Sequence, residues 1–480
     1  MLDAGSASKA RPRHGGSAAS YWARTTLWIL LCVVFVLLYF NDSDGGGAVS
    51  TTTAVATIAE DLAENSVAKK SENLELERGH KVKKFGRIHA ASTVSSRKVA
   101  PYFNDTSMPD FERFWTPIDI RASKRSSQVT LCQLDWKQYN ENPHQHAMFK
   151  DLVAMSNCNG NNRKSVNLDD YIQQVDNEKN NMRYAPPTGF IFHESRVGST
   201  LVANLFGTDP HSLVFAESPP IANVLMHCQG CDRKDQINIL RQIVKAMGVS
   251  PFHKRLFFKC QSITSTKMSI LLEAFPDTPW GFVYRKPVQT MMSQLDPDKG
   301  VGGPCLRSMS APPERVSSVA RKAGGSNPPS EAWCAAHLNM LCTFAIESYQ
   351  AFSKDKTNTE HQRGMLINYE GLPGIIPKVI LPMFGVSPSE EWVRRMAIES
   401  GSYSKKNIKS KKFEGDSEKK ERKASDKVNK YAEEILEPTY QKMLKMTLES
   451  IKSVTPGLYE EFIKDGTMNW DVIKVIDVQI

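Results

Sequence analysis

Long apolar runs are almost missing from this 480-residue chain; residues 23–40 (ARTTLWILLCVVFVLLYF) form the only one. A single run excludes a multi-pass membrane protein. Cysteine is scarce too, nine in all with only Cys32 in the first 131 residues, too few for a small disulfide scaffold. The other eight suit an oxidising compartment, but eight cysteines allow about 105 pairings and the count fixes none. Cys228-Gln229-Gly230-Cys231 has no second C-x-x-C and no helical repeat of histidines beside it. A structural cysteine pair or free thiols is therefore expected ahead of a zinc or redox site, and no metal is expected. Nor is charge of one sign abundant: 61 Lys+Arg against 52 Asp+Glu leave +9. Spread over this length, that excess excludes a strongly basic nucleic-acid binder and leaves an acidic ligand open. With 40% hydrophobic and 24% charged residues the chain can bury a sizeable core, which excludes wholesale disorder.

The flanks of the apolar run set its orientation. Lys9, Arg11, Arg13 and Arg24 lie upstream against Asp3 alone, and Asn41-Asp42-Ser43-Asp44 follows. The positive-inside bias gives a cytosolic tail at 1–22 and a single-pass type II signal anchor at 23–40. A cleaved signal and an organellar transit sequence are the alternatives, the leader being long for the former. Residues 41–100 are Gly/Ser/Thr/Ala-rich, then charged, and read as a stem. Asn104-Asp105-Thr106 is a glycosylation sequon, usable if this side is luminal. Residues 101–480 form the expected luminal domain, with its core from about residue 187.

From there, short apolar runs alternate with helical windows. Gly189–His193, Leu213–Ala216, Arg255–Lys259, Trp280–Tyr284 and Met365–Asn368 read as strands; 199–206, 235–247, 266–275 and 331–352 read as helices. Strands separated by helices imply parallel βαβ units, hence an α/β sheet covered on both faces, with ligands at the carboxyl ends of the strands. The first strand runs into His193-Glu194-Ser195-Arg196-Val197-Gly198-Ser199-Thr200. A strand, a turn and a helix N-terminus make a phosphate cradle. This is not a Walker A loop, because His193 stands at the first glycine position and Ser199 at the lysine position. An ordinary turn capped by Ser199 is the plainer alternative.

Arg196-Val197-Gly198-Ser199-Thr200 resembles the 5′-phosphosulfate loop of the sulfotransferase family. Arg285 at a strand end, with Ser293 eight positions on, resembles that family's 3′-phosphate site. Asn368-Tyr369-Glu370-Gly371-Leu372 with Phe384-Gly385-Val386 resembles its late strand. The resemblance spans about 200 residues in order. It implies a P-loop-NTPase-like α/β domain, preceded here by a transmembrane helix and stem, with 3′-phosphoadenosine 5′-phosphosulfate as donor. The anchor and stem resemble the Golgi membrane class, which implies a luminal enzyme acting on a glycan or tyrosyl hydroxyl.

Sulfuryl transfer resembles phosphoryl transfer, so positioning and charge stabilisation should dominate. By resemblance, Arg196 and the amides of Val197, Gly198, Ser199 and Thr200 hold the 5′-phosphate, and Lys259 lies near the transferred group. As bare residues, Arg196 could be a solvated loop arginine and Lys259 a strand-end lysine reaching solvent. Cytosolic sulfotransferases carry a basic histidine where this chain has Gln261, which cannot take a proton. Glu217, placed similarly to the catalytic glutamate of tyrosylprotein sulfotransferases, is the expected general base, with a pKa raised by burial beside an anionic donor. A helix-capping or Arg196-pairing Glu217 is the alternative; His227 and His211 are lesser base candidates. Between Lys405 and Lys430, eleven Lys/Arg meet five Asp/Glu, a segment suited to a donor-closing loop, a solvated loop or an acidic acceptor. Two rival functions stand: a luminal P-loop kinase or NTPase, and a non-catalytic, membrane-tethered binding protein.

Overall fold

The computed structural model describes residues 113–177, 183–296, 303–354, 361–402, 416–464 and 467–476. The expected anchor, stem and sequon lie outside these residues. No helix among the described residues is long and apolar enough to cross a membrane.

Phe114–Arg121 (β1), Gln128–Leu134 (β2) and Arg163–Asn167 (β3) pair as an antiparallel sheet in the order β1-β2-β3. This sheet, absent from the sequence-based expectation, covers the apolar face of the helix Pro219–His227. Cys132 on β2 is bonded to Cys158, 26 residues on, beyond the helix Phe149–Met155 (α1). A loop of that length, closed by a disulfide, contributes on the order of 3–4 kcal/mol against the unfolded chain.

The central sheet has five strands: Pro187–His193 (β4), Ser212–Ala216 (β5), Arg255–Lys259 (β6), Trp280–Tyr284 (β7) and Gly364–Asn368 (β8). Their order is β8-β7-β4-β6-β5 and every pair is parallel. Ile191, Phe257, Phe282 and Leu366, at the middles of four of these strands, are fully buried. That burial is why the runs are continuously apolar rather than alternating. Helices flank the sheet, among them Ser199–Gly207 (α2), Pro287–Leu295 (α3), Ser330–Phe352 (α4) and Glu390–Ser400 (α5). The window expected as one helix at 266–275 is a tight turn over Ser262–Lys267 followed by a helix over Met268–Ala274. In the insertion after α3, Cys305 is bonded to Cys334 at the start of α4. Cys228 and Cys231 are bonded to each other, so the C-x-x-C is a cysteine pair here.

Candidate active site

The five parallel strands deliver His193, Ala216, Lys259, Tyr284 and Asn368 to one edge of the sheet. β4 leads into the loop 194–198 and then α2, whose N-cap is Gly198 with φ of 81°. The expected Ser199 cap is not formed; Gly198 takes that place because the chain turns there in a left-handed conformation that glycine adopts without cost. A side chain at Gly198 would also meet the Tyr369 ring, 2.9 Å from the position of a Cβ. Ser195 and Arg196 share the left-handed region, with φ of 80° and 61°. The consequence is a concave run of amides: those of residues 196–200 donate to no group among the described residues. Consecutive free N–H groups at the positive end of a helix are an anion cradle. Arg196 is half-buried and makes no ion pair with a described residue.

Glu217 and Lys259 leave adjacent strands, β5 and β6. The Lys259 ammonium donates to Glu217 Oε1, and the Glu217 amide donates to the Lys259 carbonyl at 2.6 Å. Lys259 is buried, its side chain 1% exposed against 30% for Glu217, so it does not reach solvent as a bare strand-end lysine would. His193 completes the group. Its Nδ1 accepts from the Ser195 amide at 3.0 Å, and its Nε2 meets the Cys260 carbonyl at 3.0 Å and Glu217 Oε1 at 3.6 Å. The two backbone partners fix the tautomer, with the proton on Nε2. Glu217 has φ of 58°. Of the four non-glycine residues with positive φ among those described, three (Ser195, Arg196 and Glu217) line one cleft. Such strain, about 1–3 kcal/mol per residue, gathers where function demands a geometry.

The raised pKa expected for Glu217 is not what the structure gives. Burial pushes the carboxyl up, but the Lys259 ammonium and His193 beside it outweigh burial and hold it well below its ordinary 4.5. The sequence placed Glu217 at a strand end but did not show that the next strand would bring Lys259 into contact with it. The alternatives for this residue fall as well: it pairs with Lys259 rather than Arg196, and Ser218 is the N-cap of the following helix.

The cleft, of about 810 Å³, is lined on one side by His193, Ser195 to Thr200 and Glu217. Its other wall is the turn Pro143–His146 with α1, which present His144, His146, Lys150 and Asp151; Arg307 joins at the rim. His211 and His227 are not part of it. His211 precedes β5, at the opposite end of a parallel strand, and packs tilted against the Phe252 ring.

Arg285 follows β7, as expected, but lies beside this cleft rather than in its lining. Its guanidinium is committed: Nε donates to Gln289 Oε1 at 2.6 Å, and NH2 donates to Asp416 Oδ1 at 3.0 Å and Ser417 Oγ at 2.7 Å. The Tyr369 ring lies 4.0 Å from it. Ser293 does not join Arg285; its hydroxyl donates to the Gln289 carbonyl one turn back in α3. Glu194 links the loop to this turn, with Oε1 accepting from the Arg285 amide at 2.8 Å and from Thr290 Oγ at 3.1 Å, while Oε2 accepts from the Cys342 thiol at 2.9 Å. Burial outweighs these donors and pushes the Glu194 carboxyl up to about 7. Within the basic stretch, residues 403–415 lie outside the described residues; Ser417–Lys423 is a helix (α6) against α3.

His193, Glu194, His144 and Glu399 were not among the residues expected at the site. The first two stand in the motif itself and were legible as neighbours of Arg196. The other two come from distant segments with no local signal.

No protein-family model matches the chain and no curated protein does. Among solved structures, the chain is similar to the sulfotransferase domain from the Synechococcus PCC 7002 olefin synthase, at 13% identity and a TM-score of 0.30, over 52% of this chain and 95% of that one. It is similar to sulfotransferase STF9 from Mycobacterium avium at 12% identity and a TM-score of 0.34, over 65% and 85%. For a sulfotransferase from Alicyclobacillus acidocaldarius the values are 14% and 0.27, over 45% and 93%.

Proposed function

We propose that the chain transfers a sulfuryl group from 3′-phosphoadenosine 5′-phosphosulfate to an acceptor hydroxyl, glycan or tyrosyl, as a single-pass type II protein of the Golgi membrane. The observation that carries the chemistry is the amide cradle of residues 196–200 facing the same cleft as Glu217, with the buried Lys259 ammonium on Glu217. Arg196 and the amides of Val197 to Thr200 hold the 5′-phosphate, and Lys259 stabilises the charge that grows as the sulfuryl group leaves it. With its carboxyl held low, Glu217 acts as the ionised partner that keeps Lys259 charged and in place rather than as the proton acceptor. Arg285 reads the 3′-phosphate, which takes the place of the Asp416 carboxylate on the guanidinium. The three disulfides among the described residues suit a secretory compartment.

The test is calorimetry with adenosine 3′,5′-bisphosphate against adenosine 5′-phosphate. Tighter binding of the bisphosphate, with the preference lost in Arg285→Ala, supports the reading. Equal affinities, or a variant with unchanged preference, contradict it. Binding and turnover of ATP with Mg²⁺ in place of the bisphosphate would favour the kinase or NTPase.

A further inference from the structure

Glu399 on α5 is a buried carboxylate, 2% exposed, with no part in the donor chemistry above. Its Oε2 meets His144 Nδ1 at 2.9 Å, a contact across 255 residues of sequence. His144 stands on the turn Pro143–His146 in the wall of the cleft, its side chain 24% exposed, and Nε2 has no partner among the described residues. Asn204 also faces the Glu399 carboxyl. That residue is four positions after Thr200 on α2, and Thr200 lines the cleft. Four residues of helix rise about 6 Å and return to the same face. Glu399 therefore meets α2 at Asn204, about one turn beyond Thr200, and His144 lines the same cleft as the anion cradle.

We propose that His144 is the general base for the acceptor hydroxyl and that Glu399 is its positioning residue; this rests on the sulfuryl transfer proposed above. His144 Nδ1–H donates a hydrogen bond to Glu399 Oε2, which leaves the Nε2 lone pair for the substrate. In the step, the acceptor O–H proton passes to Nε2 as the acceptor oxygen bonds to sulfur. The bond between sulfur and the 5′-phosphate oxygen breaks, and its electron pair leaves with the phosphate. The products are the sulfate ester, adenosine 3′,5′-bisphosphate and an imidazolium that returns its proton to water.

The electrostatics of the two candidate bases diverge. Glu217 is held down by Lys259 and His193. His144 is raised above its ordinary 6.5 by its hydrogen bond to Glu399, against the opposing pull of burial. Of the two, the imidazole whose affinity for a proton is raised by its carboxylate partner is the better proton acceptor. The titratable and charged groups around it are Glu399 from α5, Tyr139 and His146 from its own segment, Lys150 and Asp151 from α1, and Arg196 across the cleft.

The experiment follows radiolabelled sulfuryl transfer onto N-acetyltyrosine amide and methyl galactoside across pH, with bisphosphate affinity measured alongside. His144→Gln should keep that affinity within about threefold and lose roughly 10²–10⁴-fold in turnover, the usual span of base catalysis. Glu399→Gln should move the acid limb of the rate profile to lower pH, because the group that raises the imidazole is gone. A merely structural role would change melting temperature or donor affinity and leave that limb in place. Wild-type turnover in His144→Gln, or an unmoved acid limb in Glu399→Gln, overturns the assignment. A wild type that does not bind the bisphosphate, or transfers to neither acceptor, overturns the sulfuryl-transfer reading and this assignment with it.

Discussion

The Lys259 ammonium donates to Glu217 Oε1 where two neighbouring parallel strands end, and the lysine side chain is almost wholly buried. A buried charge is tolerable only while its partner stays ionised, so removing one member costs more than the pair itself is worth. Glu217→Gln should lower unfolding free energy by roughly 2–4 kcal/mol in urea titrations. Replacing Lys259 by Met in that background should recover part of the loss. Because the Glu217 carboxyl is held below its ordinary 4.5, its contribution is present above that value and is lost as pH falls below it. Glu217→Gln should therefore flatten the acid limb of the stability profile. A variant as stable as the wild type at pH 7 would contradict this.

Glu194 has the opposite sign. Its carboxyl is pushed up to about 7 by burial, so the stability it confers is full below 4.5 and is lost as pH rises through about 7. The loss on ionisation is on the order of 3 kcal/mol. Glu194→Gln keeps an acceptor for the Arg285 amide and the Thr290 hydroxyl but cannot ionise. Chemical denaturation at pH 5 and pH 8 should differ less for this variant than for the wild type; an equal difference would show that Glu194 does not titrate in that window.

Asp416 and a donor 3′-phosphate compete for the same guanidinium nitrogen in this account, since Arg285 NH2 already serves Asp416 and Ser417. Asp416→Asn should tighten adenosine 3′,5′-bisphosphate by roughly 3–5-fold, the scale of an exposed ion pair. Adenosine 5′-phosphate should be unaffected. Weaker bisphosphate binding in the variant would mean that Asp416 supports the site rather than occupies it.

The central sheet was legible because each of its strands is buried on both faces and so leaves a continuous apolar run, bounded by turns. The loop 194–198 was legible for a related reason, since a strand, a turn and a helix N-terminus are contiguous in sequence. The antiparallel strands Phe114–Arg121, Gln128–Leu134 and Arg163–Asn167 gave no comparable signal. The third of them is mostly exposed and polar, RKSVN. Contacts made by the fold rather than by the motif stayed hidden: Lys259 against Glu217 across 42 residues, Arg285 against Asp416 across 131, and His144 against Glu399 across 255. The raised pKa expected for Glu217 failed for this reason, because an isolated strand-end carboxylate carries no sign of a lysine on the adjacent strand.

The most direct measurement is incubation of the purified protein with radiolabelled 3′-phosphoadenosine 5′-phosphosulfate and hydroxyl acceptors, without added metal. Label should move onto an acceptor with equimolar release of adenosine 3′,5′-bisphosphate, and Lys259→Ala should suppress that transfer while the protein remains folded. No transfer to any phenolic or carbohydrate hydroxyl, together with hydrolysis of ATP in the presence of Mg²⁺, would contradict it.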